Sequence, residues 1–300
     1  MTETPMAAPE TDVLALPAGG ESVPAPLRIT CGLLAGAATL ALVALDAAWE
    51  QAFVYAACGT GAVALALAEL GELSRRAGVR AGGGPLVVGG VAVFLLQWAG
   101  WVWPRSGPDP WLVGCLAAVV AVGAPFTARV LRGRIGGALE SASVSAASII
   151  YVPVMVGFLT AVRMGWGGAG LLTVLVVCKG GSTGAYLVGK TLGRRPLAPR
   201  VSPRKTVAGA VGQVATSMGL AWALAHSPLS LMSGRAALLY GALAAGAAMA
   251  GDLTASLLKR QAGVKDSGRL VPGLGGMLDM VDDVLFAAPL SYLFLLCAAA

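Results

Sequence analysis

Apolar runs of about 20 residues recur along most of this 300-residue chain. A helix needs roughly that length to cross the hydrocarbon core of a bilayer. Nine windows qualify, and they lie at 29–49, 52–71, 85–103, 111–130, 142–162, 167–189, 207–226, 235–252 and 279–299. The pattern predicts an all-α integral membrane protein with about nine transmembrane helices.

Charged residues make up only 12% of the chain, about half the usual share in soluble proteins, which excludes a water-soluble domain. Residues 1–27 are rich in Pro and Ala and lack an apolar core, so they predict a disordered tail rather than a cleaved signal peptide. We divide the remainder into an N-terminal transmembrane region, 28–165, and a C-terminal transmembrane region with cytoplasmic loops, 166–300.

Lys and Arg residues predict the orientation, because they concentrate in cytoplasmic loops. If the N-terminus is cytoplasmic, seventeen of them fall in inside segments and three, Arg105, Arg163 and Arg235, in outside segments. We therefore expect a multi-pass protein of the cell (inner) membrane with an outside C-terminus. The net charge of +6 then reflects a membrane surface and does not indicate a nucleic-acid partner.

Neither the five cysteines nor the single histidine, His226, indicates a metal site. The cysteines lie inside apolar runs without metal-type spacing, which is typical of small residues packed between helices.

A Gly-, Pro- and Arg-rich stretch at 179–209 holds six basic residues between Lys190 and Lys205. Its glycines permit close backbone approach and its prolines predict a rigid loop. Ser202, Lys205 and Thr206 precede the seventh span, where a helix N-terminus, hydroxyls and a lysine suit a phosphate group. An ordinary basic loop is the alternative.

Two acidic stretches follow at the same predicted membrane face. Asp252, Ser256 and Lys259 share one helical face. They can form a structural ion pair with a cap, or they can hold a metal–phosphate complex. Asp279, Asp282 and Asp283 are spaced so that their charges repel on a helix. The helix dipole favours acids at this end, but a divalent cation explains three of them better.

The loop between these stretches is Gly-rich and carries Lys265, Asp266 and Arg269, which suit a triphosphate. Carboxylates, basic residues and a lipid-facing position together favour phosphoryl- or nucleotidyl-group transfer onto a membrane substrate. A solute transporter or a lipid-handling protein without chemistry is the alternative, and a helix break at 179–184 would favour it.

The C-terminal region resembles the phosphatidate cytidylyltransferases, or CDP-diacylglycerol synthases. The resemblance covers about 179–285. The residues that match, without gaps, are Ser256, Lys259, Arg260, Lys265, Asp266, Pro272, Gly275, Gly276, Asp279 and Asp282. Upstream matches are Gly184-Ala185-Tyr186, Gly189-Lys190, Gly193, Leu197-Ala198-Pro199, Ser202-Pro203 and Lys205-Thr206.

The resemblance implies a Mg²⁺-dependent enzyme, with room for a second cation, that joins CTP to phosphatidic acid in phospholipid biosynthesis. Membrane lipids and a second copy of the chain are the other implied partners. The implied metal ligands are Asp252, Asp279 and Asp282. The implied catalytic residues are Lys259, Arg260, Ser256 and Asp282, and the implied substrate-binding residues are Ser202, Lys205, Thr206, Tyr186, Lys265 and Asp266.

Four positions depart from the family pattern. Ser182 stands where the family has Asp, Ala208 where it has Glu, Leu274 where it has His, and Met280 where it has Arg. Each change removes a charged or polar group, so a catalytically degenerate homologue is an alternative to an active, divergent enzyme. The lipid class and the choice of CTP over dCTP are not set by the sequence.

Overall fold

The computed structural model describes residues 25–47, 52–79, 83–103, 109–133, 135–271 and 273–299. Residues 1–24 of the tail expected at 1–27 lie outside these ranges. The same is true of Arg80, Arg105, Arg134 and Pro272. The N-terminal elements are α1 (Ala25–Ala47), α2 (Phe53–Arg76), α3 (Gly83–Val102), α4 (Pro110–Leu131), α5 (Ala138–Ile149) and a π-helical turn (Ile150–Val154). The C-terminal elements are α6 (Met155–Leu192), β1 (Pro196–Ala198), β2 (Ser202–Thr206), α7 (Val207–Ala225), α8 (Gly234–Gln261) and α9 (Met277–Ala299).

The chain is a mostly helical, multi-pass membrane protein. Within the described ranges, seven helices are long and apolar enough to cross a bilayer. The α1 helix adds a shorter apolar stretch, Gly36–Asp46.

The fifth and sixth predicted windows form one helical run, Ala138–Leu192. Its regular geometry is broken at Gly167, whose φ of 65° and ψ of −159° lie outside the helical region. Residues 179–184, by contrast, are regular helix. The break that a transporter would require there is absent from this described segment.

Glycines let α6 and α7 pack closely, as the sequence predicts. A Cβ at Gly184 would lie 2.1 Å from Thr216 Oγ1, and one at Gly212 would lie 2.6 Å from Val188 Cβ. Close approach through small residues is typical of helices within a bilayer. It places the end of α6 and the start of α7 side by side.

The segment predicted as a rigid loop at 190–206 is helix and β-hairpin instead. The α6 helix continues to Leu192, and β1 and β2 then pair antiparallel, with Pro196 opposite Thr206. Thr206 ends the hairpin and caps α7, since its Oγ1 accepts from Gly209 N at 3.1 Å. Proline is tolerated because a two-stranded ribbon has only edge strands.

The α9 helix joins the two halves of the fold. Leu278 and Leu285 pack into a buried cluster with α2 and α3, whereas Val284 and Ala288 pack against α6 and α8. The first turn of α9 therefore lies where α2, α6 and α8 converge, and the acidic residues of this turn form the site.

Candidate functional site

The carboxylate of Asp279 is surrounded by donors at the start of α9. Its Oδ1 forms an ion pair with Lys259 Nζ of α8. Its Oδ2 accepts from Ser267 N (2.7 Å), Ser267 Oγ (2.9 Å) and Gly276 N (3.0 Å). Gly275 has a φ of 91°, and a Cβ there would lie 2.4 Å from Oδ2. Asp279 thus fastens the α8–α9 loop onto both helices.

Glu69, near the end of the predicted second span, reaches the same loop. Its Oε1 accepts from Met277 N (2.7 Å), and its Oε2 accepts from Leu278 N (2.9 Å) and Ser267 Oγ (2.7 Å). A Cβ at Gly276 would lie 2.4 Å from either oxygen. Glu69 therefore caps the N-terminus of α9, where the helix dipole favours a negative charge.

A second ion pair joins the hairpin to α8. Lys205 Nζ lies 2.6 Å from Asp252 Oδ2. This nitrogen is buried but makes no hydrogen bond of regular geometry within the described residues, so it can accept a further anionic partner. Arg260 joins the hairpin to the α8–α9 loop. Its Nε donates to Val201 O at 3.2 Å, and its Nη1 donates to Val264 O at 3.4 Å.

A third ion pair lies between α6 and α9, at two of the positions that depart from the family pattern. Lys179 Nζ lies 2.6 Å from Asp283 Oδ1 and also donates to Met280 O. Ser182 Oγ donates to Asp283 Oδ2 at 3.0 Å. The acid missing at Ser182 and the cation missing at Met280 are thus replaced nearby, by Asp283 and Lys179.

Asp282 and Asp252 meet where α8 crosses α9. A Cβ at Gly251 would lie 2.2 Å from Asp282 O, so the two backbones are nearly in contact there. The Asp282 side chain is buried, and it interacts electrostatically with Asp252 and Asp283. Unlike its two acidic neighbours on α9, Asp282 forms no ion pair with a described residue.

The donor set fits a metal–phosphate complex better than a metal held by protein alone. No group of three His, Cys, Asp or Glu side chains suited to a metal occurs in the described part of the chain. Mg²⁺ usually takes one or two carboxylates and completes its shell with water and substrate phosphates. Asp252 and Asp282 are such a pair. Asp279 is engaged with Lys259 and three hydrogen bonds, so its role as a metal ligand stays a prediction.

Comparison with known proteins gives the family of the chain. The family model described as "Cytidylyltransferase family" matches residues 26–298. The chain belongs to the cytidylyltransferase family.

Individual relatives of this family match over shorter stretches. The phosphatidate cytidylyltransferase of Thermotoga maritima is 38% identical over 151 residues, 49% of this chain and 56% of the relative. That of Synechocystis is 44% identical over 115 residues, 37% and 38% of the two chains. "Uncharacterized protein YnbB" of Escherichia coli is 42% identical over 130 residues, 43% of each. The matches thus cover about half or less of these relatives.

Other residues that the sequence singled out lie at varying distances from this centre. Ser256 is buried on the same face of α8 as Lys259, and Ser202 is half-buried on the hairpin. Lys265 and Asp266 are exposed on the α8–α9 loop, next to the buried Ser267.

Tyr186 and Thr206 do not face the acids through any contact in the described residues. Tyr186 is 64% exposed on α6 and lies under the ammonium of Lys190, 5.8 Å from its ring centroid. The Thr206 hydroxyl caps α7 by accepting a hydrogen bond from Gly209 N. Substrate binding by Tyr186 and Thr206 stays a prediction.

Sequence reasoning missed Glu69, since it lies outside the matched motifs. Glu69 carried a usable signal, because an acid in an apolar run is costly and tends to mark function.

Proposed function

We propose that the chain transfers a cytidylyl group from CTP to phosphatidic acid, giving CDP-diacylglycerol and pyrophosphate. The observation that carries this is the convergence of Lys205, Asp252, Lys259 and Asp282 from the hairpin, α8 and α9. The names of the relatives support the same reaction. Both substrates are polyanions, which suits a site where the Lys205 ammonium has one carboxylate partner and unused hydrogen-bonding capacity.

The reaction forms a bond between a phosphate oxygen of the lipid and the α-phosphorus of CTP, and breaks the bond to the β-phosphate. The nucleophile is already an anion, so no side chain has to remove a proton. Lys205 and Arg260 stabilise the negative charge of substrate phosphates near the hairpin. Lys259 neutralises negative charge next to the α8–α9 loop. Asp252 and Asp282 would hold Mg²⁺, which when bound supplies charge neutralisation on the triphosphate and on the leaving pyrophosphate.

We also infer nine spans with a cytoplasmic N-terminus in an inner membrane. A helical run of 55 residues rises about 80 Å, well beyond a hydrocarbon core of roughly 30 Å. The break at Gly167 divides this run into two spans, and α1 supplies the ninth. The dimer implied by the family also stays a proposal.

The site's position argues against a transporter. Two of the three ion pairs of the C-terminal region, Lys205–Asp252 and Lys259–Asp279, lie beside the basic hairpin or the α8–α9 loop, whereas a transporter places its polar groups near the bilayer midplane.

The direct test is incubation of the purified protein in detergent with labelled CTP, phosphatidic acid and Mg²⁺. We expect labelled CDP-diacylglycerol and an equal amount of pyrophosphate. Failure to form product with any anionic phospholipid would overturn the proposed reaction. A reporter active only in the cytoplasm, fused after Ala300, should be silent, and a strong signal would overturn the topology.

A further inference from the structure

Tyr151 presents a buried hydroxyl group that the fold leaves without a hydrogen bond. Its Oη has no hydrogen-bond partner among the described residues. Leaving a buried polar group unpaired costs about 1–3 kcal/mol, so each such group in a native structure calls for an explanation. The other tyrosine hydroxyls buried by the described helices, those of Tyr55 and Tyr240, are hydrogen-bonded to Thr160 and Ser291 respectively.

The position of this hydroxyl group ties it to the acidic pair. The Tyr151 ring packs edge-on against Phe286, with centroids 6.0 Å apart. Phe286 lies one turn after Asp282, and it also lies 3.3 Å from a Cβ built on Gly251, the neighbour of Asp252. Phe286 therefore links the Tyr151 ring to the helix positions of Asp282 and Asp252.

The backbone around Tyr151 is also irregular. It belongs to the π-helical turn Ile150–Val154, which contains Pro153. Single π-helical turns within α-helices are rare and frequent at functional sites. Here the turn lies where the two halves of the fold meet, since its Tyr151 packs against Phe286 of α9.

We propose that Tyr151 Oη donates a hydrogen bond to a phosphate oxygen of the substrate bound at Asp252 and Asp282. Asp252 and Asp282 both repel a phosphate group that has no cation beside it. Lys205 and Mg²⁺ would hold the phosphate against this repulsion, and the neutral Tyr151 hydroxyl would add a hydrogen bond. The proposal rests on the proposed function, because it assigns a ligand to the same site. The phosphate can belong to CTP or to the lipid, and the two sources are separable.

The test is Tyr151→Phe, which removes only the hydroxyl oxygen. We expect kcat/KM to fall roughly tenfold, with the rise in KM confined to the substrate, CTP or phosphatidic acid, whose phosphate is held. Because the free protein loses an unpaired group, its melting temperature should stay equal or rise. Tyr292→Phe, at a tyrosine that packs against Trp111 and Trp166, is the matched control and should change neither quantity.

Unchanged kinetics would overturn the proposal, and so would a fall in melting temperature that accompanies the loss of activity, as a structural role predicts. Ligand-induced stabilisation keeps the proposal testable if the wild type forms no product. Mg²⁺–CTP and a short-chain phosphatidic acid are then added separately, and one of them should stabilise the wild type more than Tyr151→Phe. Equal stabilisation of both proteins by each ligand would overturn the assignment while leaving the question of the reaction to the product assay.

Discussion

Two ion pairs, one in each half of the molecule, differ in burial and in what completes them. In the N-terminal half, Arg163 Nε donates to Asp46 Oδ2 at 2.6 Å, Arg163 Nη2 donates to Asp46 O, and Tyr55 N donates to Asp46 Oδ1. Both side chains are under 8% exposed. In the C-terminal half, Lys205 and Asp252 remain 24% and 37% exposed.

The difference separates a structural pair from a binding pair. The protein itself satisfies Asp46 and Arg163, which hold α1 against α6. Lys205 and Asp252 leave room for a ligand, and they lie beside Asp282. We call Asp46–Arg163 the sealed pair and Lys205–Asp252 the open pair. The sealed pair should therefore govern the stability of the protein, and the open pair should govern turnover.

The largest effect on activity is expected from Asp279→Asn. The substitution removes the charge that pairs with Lys259 and places an amide where Oδ1 or Oδ2 accepts from neighbouring donors. We expect activity to fall more than a hundredfold, equal to about 2.7 kcal/mol of barrier, while the protein still inserts and folds. Steady-state assays and a melting curve measure both.

Glu140→Gln, at an exposed acid of α5, is the control and should cost less than about twofold. If Asp279→Asn keeps more than about a tenth of wild-type activity, the essential role of this carboxylate is wrong, whether as metal ligand or as anchor of the loop.

Lys205→Ala should have the second-largest effect. A charge-assisted contact to phosphate is worth about 1.5–3 kcal/mol, so kcat/KM should fall roughly ten- to hundredfold. Lys205→Arg should recover only part of this loss, because a planar fork does not replace a point charge.

Arg194→Ala, at an exposed residue just before the hairpin, is the comparison for Lys205→Ala. Equal, small effects of these two variants would show that the basic segment only orients the protein in the membrane.

Glu69→Gln tests whether the N-terminal half supports the site. The amide keeps the shape but loses the charge that caps α9, so we expect a fall in kcat of about five- to tenfold and a lower melting temperature. Glu72→Gln is the matched control, since Glu72 lies on the same helix and pairs only with Arg75 and Arg76 at the surface within the described residues. Similar kinetics for the two variants would refute the link.

Arg163→Gln should change activity least. Breaking a buried ion pair by removing one partner costs about 3–5 kcal/mol of stability, so the melting temperature should fall strongly. The folded fraction should keep kcat within about twofold at low temperature. A large loss of kcat in protein shown to be folded would remove the distinction between the sealed and the open pair.

The apolar windows predicted the helices well because burial in lipid demands long apolar segments whatever the tertiary arrangement. They placed Arg163 in an outside loop, which is wrong: it lies buried in α6. A single charge at the end of a window cannot reveal its partner when that partner is 117 residues away. The hairpin was missed for a different reason: its short strands carry two prolines, Pro196 and Pro203, and the turn between them carries a third, Pro199.

The sequence by itself determined the class of the protein, the family, and the acids and bases of the C-terminal motifs, because these depend on composition and on local spacing. Only the tertiary structure decided how those charges combine. Local spacing put Asp279, Asp282 and Asp283 on one repelling face, yet the fold neutralises two of them with lysines from α8 and α6 and leaves Asp282 beside Asp252. Glu69 joins them from the N-terminal half, since contacts between distant helices are set by packing and not by sequence proximity.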